Sequence, residues 1–292
     1  MALLIADASY MVFYTYYAIL KFYKSYFNEN PDIPNIMNSP LFTSKFRRMF
    51  RRKIIEIATD HGVPLTNVVF ATDCDRESIW RRGVYPEYKA SRAPKSEFNP
   101  RAFDFTFGSI IPALCEEHGM STIKVARAEA DDIAGVLHRY VRGIGDTKVV
   151  IITNDNDYIQ LADPNTVITN LAREDVCARK CETLTPEEYL LCKVLCGDKS
   201  DNLPGAVPRC GMKTAEKLVR NKDKLDKAIK DNDAYKRFEM NRDLMDLARV
   251  PEEIKAEIIE TFRGLQVLQP STTVGDAAAS SIHSHSSSVA CT

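Results

Sequence analysis

Acidic residues fall at chemically suggestive places along this chain. Asp7 closes the apolar run "LLIA", Asp73 follows "NVVFAT", and Asp155 and Asp157 follow "KVVIIT". The stretch "AEADD" supplies Glu129, Asp131 and Asp132, and "GDKSD" supplies Asp198 and Asp201. Glu129 and Asp132, three apart, share one helical face, and Asp198 and Asp201 repeat the spacing. Each group alone suits a plainer role, as a turn residue, a helix cap or a partner of the helix dipole. Together they pose an electrostatic problem. Two carboxylates ~4 Å apart repel by about 4 kcal/mol at an effective dielectric near 20. A crowd of them must be protonated or neutralised by bound cations. Oxygen ligands with no histidine nearby select Mg²⁺ or Mn²⁺ over zinc. Two such ions, roughly 3.5–4 Å apart, suit in-line displacement at phosphorus.

The elements that must position these acids are legible. Short β-branched runs at 3–6, 67–72, 121–125, 148–153 and 166–171 alternate with helical patterns. That alternation predicts an α/β fold, a mostly parallel central sheet flanked by helices. In open α/β sheets ligands bind beyond the carboxyl ends of the strands. Three strands therefore deliver carboxylates to one rim. Residues 42–58 read as an amphipathic helix through Phe42, Phe46, Met49, Phe50, Ile54 and Ile57. For the Arg and Lys residues on its other side, a solvated face and a phosphate-contacting face weigh equally. From residue 185 only helices are expected. "TPEEYLLCKVLCG" opens on a Thr cap and closes at Gly197; a loop and a second helix from Met212 follow, and helical pattern continues to about residue 266. The organisation is an α/β domain over 1–182, a helical region over 183–268 with a helix–loop–helix at 185–220, and a Ser/Ala-rich, disordered tail over 269–292.

Charge balance does not exclude a polyanionic partner. The 292 residues carry 39 Lys and Arg against 40 Asp and Glu, but the signs are segregated. "KFRRMFRRK", 45–53, holds six cations and no anion, and "WRRGVYPEYKASRAPKSEF", 80–98, mixes cations with aromatics. Such segments grip phosphate backbone. Eight thinly spread cysteines suggest free thiols in a reducing compartment. The N-terminus lacks a signal-peptide pattern, and "MVFYTYYAIL" is too short to span a bilayer. An intracellular, cytoplasmic protein with no membrane association is expected, in a host cell if the source is viral.

Asp73 with "RRGVYPEYKASR", "AEADD", "TNDNDYIQL" and "GDKSDNLPG…GMKTAEKL", in this order, resembles the 5′-nucleases. These are the flap endonuclease and 5′–3′ exonuclease superfamily, and the spacing is most similar to the bacteriophage RNase H-type branch. The resemblance covers roughly residues 3–220. It implies a PIN-like nuclease domain acting on 5′-flap or nicked duplex DNA and RNA–DNA hybrids, with two divalent ions. It would place Asp7, Asp73, Glu129, Asp131 and Asp132 around the first ion, and Asp155, Asp157, Asp198 and Asp201 around the second. Residues 76–104 would form a helical arch or clamp. There Lys89 or Arg81 would contact the scissile phosphate, Arg82 and Arg92 the backbone, and Tyr88 a base. The segment 197–218 would bind duplex backbone through Lys213 and Thr214. "GAVPRCGMKTA" is one residue longer than the usual family form and puts Arg209 where glycine is usual; Arg209 adds a phosphate contact, and K⁺ at this loop is left open. A monomer is expected, and a single-strand-binding protein or sliding clamp is left open as a further partner.

Two other readings stay open at this point. One is a PIN-like ribonuclease of single-stranded RNA. The other is a structure-specific DNA-binding protein without catalysis.

Overall fold

In the computed structural model, residues 1–27, 31–93, 97–178, 183–265 and 267–268 are described. Five strands form one sheet: β1 (Ala2–Asp7), β2 (Val68–Thr72), β3 (Ser121–Lys124), β4 (Lys148–Ile152) and β5 (Thr166–Thr169). Every pairing is parallel and the order is β3-β2-β1-β4-β5. All five lie within two residues of the runs read from the sequence. Near-continuous Val, Ile and Leu in β1, β2 and β4 suits strands covered on both faces.

Side-chain alternation divides each strand between two cores. Leu4, Ala6, Val68, Phe70, Val150 and Ile152 face a layer built by α1 (Ala8–Phe27) and α2 (Pro40–Asp60). Leu3, Ile5, Val69, Ala71, Val149 and Ile151 face the other side. After β2 come two short helices, α3 (Arg81–Val84) and α4 (Arg101–Phe105), and then α5 (Ile111–His118) before β3. The second face is covered by α6 (Ala130–Ile144), which runs between β3 and β4.

On α2 the predicted apolar stripe is buried, and Phe42, Phe46, Phe50 and Phe70 form a ladder with ring centroids 6.2–6.5 Å apart. Phe50 lies level with mid-β2 and the helix runs on toward the start of that strand. Its N-terminal half, with Tyr23 of α1 beside Phe42 at 6.1 Å, therefore stands beyond the carboxyl rim.

The helical region comprises α7 (Pro186–Cys196), α8 (Met212–Val219), α9 (Lys222–Ala228), α10 (Asn232–Met245) and α11 (Glu252–Arg263). Thr185 caps α7 through a reciprocal pair with Glu188. α7, α8 and α10 share a third core with Tyr88 and Ile159. Ile254, Ile258 and Phe262 of α11 pack back on α6, so contacts run across the compositional change near residue 183. The 179–182 junction and the tail from 269 lie outside the described residues. The described cysteines are free thiols. Among the described residues no helix is long and apolar enough to cross a membrane.

Candidate active site

The chain reverses its direction of sheet growth beside β1: β2 and β3 add on one side, β4 and β5 on the other. A crevice opens at such a switch point, outside the carboxyl ends of the strands. Asp7 ends β1 there, Asp73 follows β2, and Asp155 stands three residues beyond β4. Asp7 accepts from the Tyr10 backbone N–H at 2.9 Å, the Tyr158 hydroxyl at 3.2 Å and the Thr153 hydroxyl at 3.5 Å. Asp73 accepts from Ser9 Oγ at 2.6 Å and from the Ala130 N–H, at the start of α6, at 2.8 Å. Burial, then the charges of Asp73 and Asp155, push the Asp7 carboxyl up to about 7. These three acids form the unneutralised heart of the rim.

The remaining predicted acids are held differently. Glu129 and Asp132 make a reciprocal cap at the start of α6 and are almost wholly buried. Arg81, 1% exposed, lies between them. Its Nη1 donates to Glu129 at 2.8 Å and to Asp132 at 3.0 Å, and its Nη2 to Asp132 at 2.8 Å. Nε donates to the Leu244 carbonyl at the end of α10, at 2.7 Å. Trp80 Nε1 also donates to Asp132, at 2.9 Å. Glu129 further accepts from the Tyr88 hydroxyl at 3.1 Å and from Lys89 Nζ at 2.5 Å. Burial opposes its ionisation, but Lys89 and Arg81 together hold it down at about 2. Asp131 sits beside this group, half-buried and 3.5 Å from Arg81, and burial keeps its pKa well above the ordinary range.

On the other flank, Lys193 of α7 binds Asp157 and lies 3.2 Å from Asp198. Asp157 is pushed up by burial despite that lysine, whereas hydrogen bonds from Ser200 and the charge of Lys193 bring Asp198 down. Asp201 is buried and paired with Arg92 at 2.5 Å, with Lys89 3.9 Å away.

Several expectations from the sequence therefore change. Arg81 is not a phosphate contact, because it is sealed among Glu129, Asp132 and Leu244. Tyr88 is 2% exposed and cannot offer a face to a base. Asp132 has no free oxygen and serves the helix cap. Within 76–104 the described residues form turns and short helical pieces, Arg76–Ser78, Arg81–Val84 and the start of α4, and 94–96 lie outside the described residues. Among the described residues, no three acids, histidines or cysteines converge tightly enough to make a ready-formed metal shell. The reason is the internal cations: Arg81, Lys89, Lys193 and Arg92 draw the outer acids toward themselves, leaving Asp7, Asp73 and Asp155 at the centre. Lys193 had no sequence signal, since it reads as one polar position on an amphipathic helix. Tyr158 and Ser9, which hold Asp7 and Asp73, were visible only as neighbours of the acids.

Lys89 also joins the two loops flanking the rim. Its N–H donates to the Asp201 carbonyl at 2.9 Å, and Asn202 Nδ2 donates to the Glu87 carbonyl at 3.0 Å. Both Lys89 and Asn202 have left-handed backbone, φ 57° and 62°, which costs ~1–3 kcal/mol each and persists only because these contacts enforce it. Beyond this clasp, Arg209, Lys213 and Thr214 are exposed around the start of α8. Arg82 is half-buried and donates to the Tyr88 carbonyl at 3.4 Å.

Gly197 makes the loop after α7 feasible. At φ 72°, a Cβ there would lie 2.4 Å from the Leu203 carbonyl oxygen. Gly197→Ala is expected to lower Tm and cleavage together by misplacing Asp198 and Asp201. Gly143→Ala, in the last turn of α6 where nothing lies within 4 Å, should leave cleavage unchanged and Tm equal or slightly raised, alanine being the better helix former. Equal thermal melts for both variants would show that the loop tolerates a side chain.

Known proteins are similar to this chain in sequence and in fold. Residues 2–190 match the family model described as 5′–3′ exonuclease, N-terminal resolvase-like domain. The chain is 30% identical over 189 residues to DNA polymerase I of Streptococcus pneumoniae, which covers 62% of this chain and 20% of the polymerase. It is 29% identical over 201 residues to a 5′–3′ exonuclease of Halalkalibacterium halodurans, covering 65% and 64%. The chain thus spans less than two thirds of these relatives. A T5 5′-exonuclease structure superposes with a TM-score of 0.65 at 19% identity, over 91% of this chain and 99% of that one. A T5 flap endonuclease structure gives 0.63 at 20%, over 90% and 98%. The parallel sheet, the acids at its switch point and the match over 2–190 agree: the chain belongs to the 5′–3′ exonuclease N-terminal domain family.

Proposed function

We propose that this protein is a divalent-metal-dependent 5′ nuclease that removes RNA primers or short DNA from 5′ ends and cuts 5′ flaps during replication or repair. The observation that carries the reading is the trio Asp7, Asp73 and Asp155 at the switch point, with Asp7 pushed up to about 7. An acid so destabilised as an anion, facing two others, is a site built to receive positive charge. The donor set fits Mg²⁺ or Mn²⁺, being hard oxygen throughout. Asp7, Asp73 and Asp155 would hold one ion, with Asp131 beside them; Asp157 and Asp198 would serve a second. When bound, such ions supply Lewis acidity toward phosphate oxygens and lower the pKa of water. The T5 flap endonuclease structure contains DNA and metal ions, which supports both partners here.

The chain's own groups supply the rest. Tyr158, Thr153 and Ser9 orient the central carboxylates. Lys89 and Arg92 clasp the loop 198–203 to the basic stretch through Glu129 and Asp201. Arg209, Lys213 and Thr214 hold duplex backbone without reading bases. Water attacks phosphorus, the bond to O3′ breaks, and O3′ takes the proton, leaving a 5′-phosphate and a 3′-hydroxyl. No covalent intermediate is required. We place the enzyme in the cytoplasm as a monomer, with K⁺ at the loop before α8 and a single-strand-binding protein or clamp as further partners to be tested.

One observation favours a binding-only protein: Arg81, Lys89 and Lys193 already neutralise outer acids. A cleavage assay decides. With 5′-flap, nicked and RNA-primed duplexes, Mg²⁺ should release short 5′ products and EDTA should stop the reaction. Metal-independent binding with no product would establish the binding-only reading, and faster cutting of unstructured RNA would establish a single-strand ribonuclease.

A further inference from the structure

The cationic run 45–53 is not used by the site above. On α2, Arg47 and Arg48 are exposed, and Arg47, Arg48 and Arg51 line a groove of about 530 Å³ with Thr43, Ser44 and Phe105. No carboxylate lines it. Arg51 is paired with Glu117 at 2.5 Å, but among the described residues no acid lies within ion-pair distance of Lys45, Arg47 or Arg48. Arg47 lies over the Phe105 ring at 5.1 Å and donates to Ser109 at 3.2 Å, so its guanidinium is held in place.

One turn toward the N-terminus of α2, Lys45 Nζ stands 4.3 Å above the ring of Phe22. Phe22 and Tyr26, four apart on α1, are stacked with centroids 5.7 Å apart and planes at 21°. They are 39% and 69% exposed. Both are exposed, whereas the other described rings of α1 are half-buried or buried. Aromatic faces next to a row of cations are what single-stranded nucleic acid binds, bases on the rings and phosphates on the charges.

Position supports the same occupant. α1 starts at Ala8, directly after Asp7, so Phe22 lies about 20 Å from the rim at ~1.5 Å per residue. Phe105, the last residue of α4, lines the groove. The cations of α2 and the stacked rings of α1 therefore lie along one helical layer that starts at the rim.

We infer that the outer faces of α1 and α2 form a second, sequence-independent platform for a single-stranded nucleic-acid arm of the substrate. The inference rests on the nuclease reading but is measured separately. Fluorescence anisotropy in EDTA compares a nicked duplex with the same duplex carrying a long 5′ single-stranded arm. For the wild type, the arm should tighten binding and steepen its salt dependence. In R47A/R48A the slope of log K against log salt for the armed substrate should fall by about 1.4, two contacts at ~0.7 each for a single strand. In Tyr26→Ala the armed substrate should lose about tenfold in affinity, as stacking is worth ~1–3 kcal/mol per base. R47K/R48K should restore the slope. Equal changes on nicked and armed duplexes, or none, would overturn the platform. Displacement by polyglutamate as readily as by an oligonucleotide would reassign it to an acidic peptide. If the wild type cut no substrate with Mg²⁺, the nuclease reading would fall while the arm-dependent affinity would still be read.

Discussion

Asp7→Asn is expected to abolish cleavage while making the chelator-treated protein more stable at pH 8. Asp7 meets Asp73 and Asp155 at the centre of the rim and carries the largest burden of their repulsion. In the proposed site Asp7 would hold an ion worth several kcal/mol of transition-state charge stabilisation, so its loss should lower single-turnover cleavage by roughly a thousandfold, at ~1.4 kcal/mol per tenfold. Stability moves the other way. The folded chain keeps a proton on Asp7 up to about pH 7, whereas the unfolded chain loses it near 3.8. Between those values the folded state binds the extra proton, so stability in EDTA should fall as pH rises from about 4 to about 7. An amide cannot ionise, so Asp7→Asn should flatten that part of the pH profile, and Mg²⁺ should raise Tm of the wild type most at the high end. A variant that still cleaved, or that melted lower than wild type at pH 8, would remove Asp7 from the charged centre.

Arg81→Met should be the most destabilising single change in the basic stretch. The guanidinium is buried against Glu129 and Asp132 and bonded to the Leu244 carbonyl, so it ties the α6 cap to the end of α10. Methionine fills much of the volume but leaves two buried carboxylates facing one another. Breaking a buried pair in this way costs about 3–5 kcal/mol, which at ~2–4 °C per kcal/mol is a fall of roughly 10 °C in Tm. Adding Asp132→Asn should recover part of the loss, since one of the orphaned charges is then gone. A residue that only touched DNA would behave differently: Tm would hold and the salt dependence of binding would drop by one contact. Thermal melts of the two variants, with DNA affinity at two salt concentrations, separate these outcomes.

The same residues mark how far sequence reasoning reached. Period-2 and period-3.6 patterns located the strands and α2, because solvent exclusion from a two-faced sheet demands apolar residues at those intervals. α1 was legible only as an apolar stretch: its aromatics recur on every side, as its surroundings require, with Tyr16 against Phe42 and Phe98 and Phe13 against Phe103. Cation roles were the least legible. Arg81 and Arg82 are adjacent and identical, yet one is sealed in the core and the other is half-buried and donates to the Tyr88 carbonyl.

Sequence alone determined the layers, the strands and the rim at which the acids must gather, since each follows from local periodicity and the rule that parallel strands end together. Tertiary structure decided which acids keep their charge unanswered. Neutralisation is a pairwise matter between segments far apart in the chain: Arg81 with Asp132, Lys89 with Glu129 and Lys193 with Asp157. Only packing brings those partners together, and what they leave over, at Asp7, Asp73 and Asp155, is the charge available for chemistry.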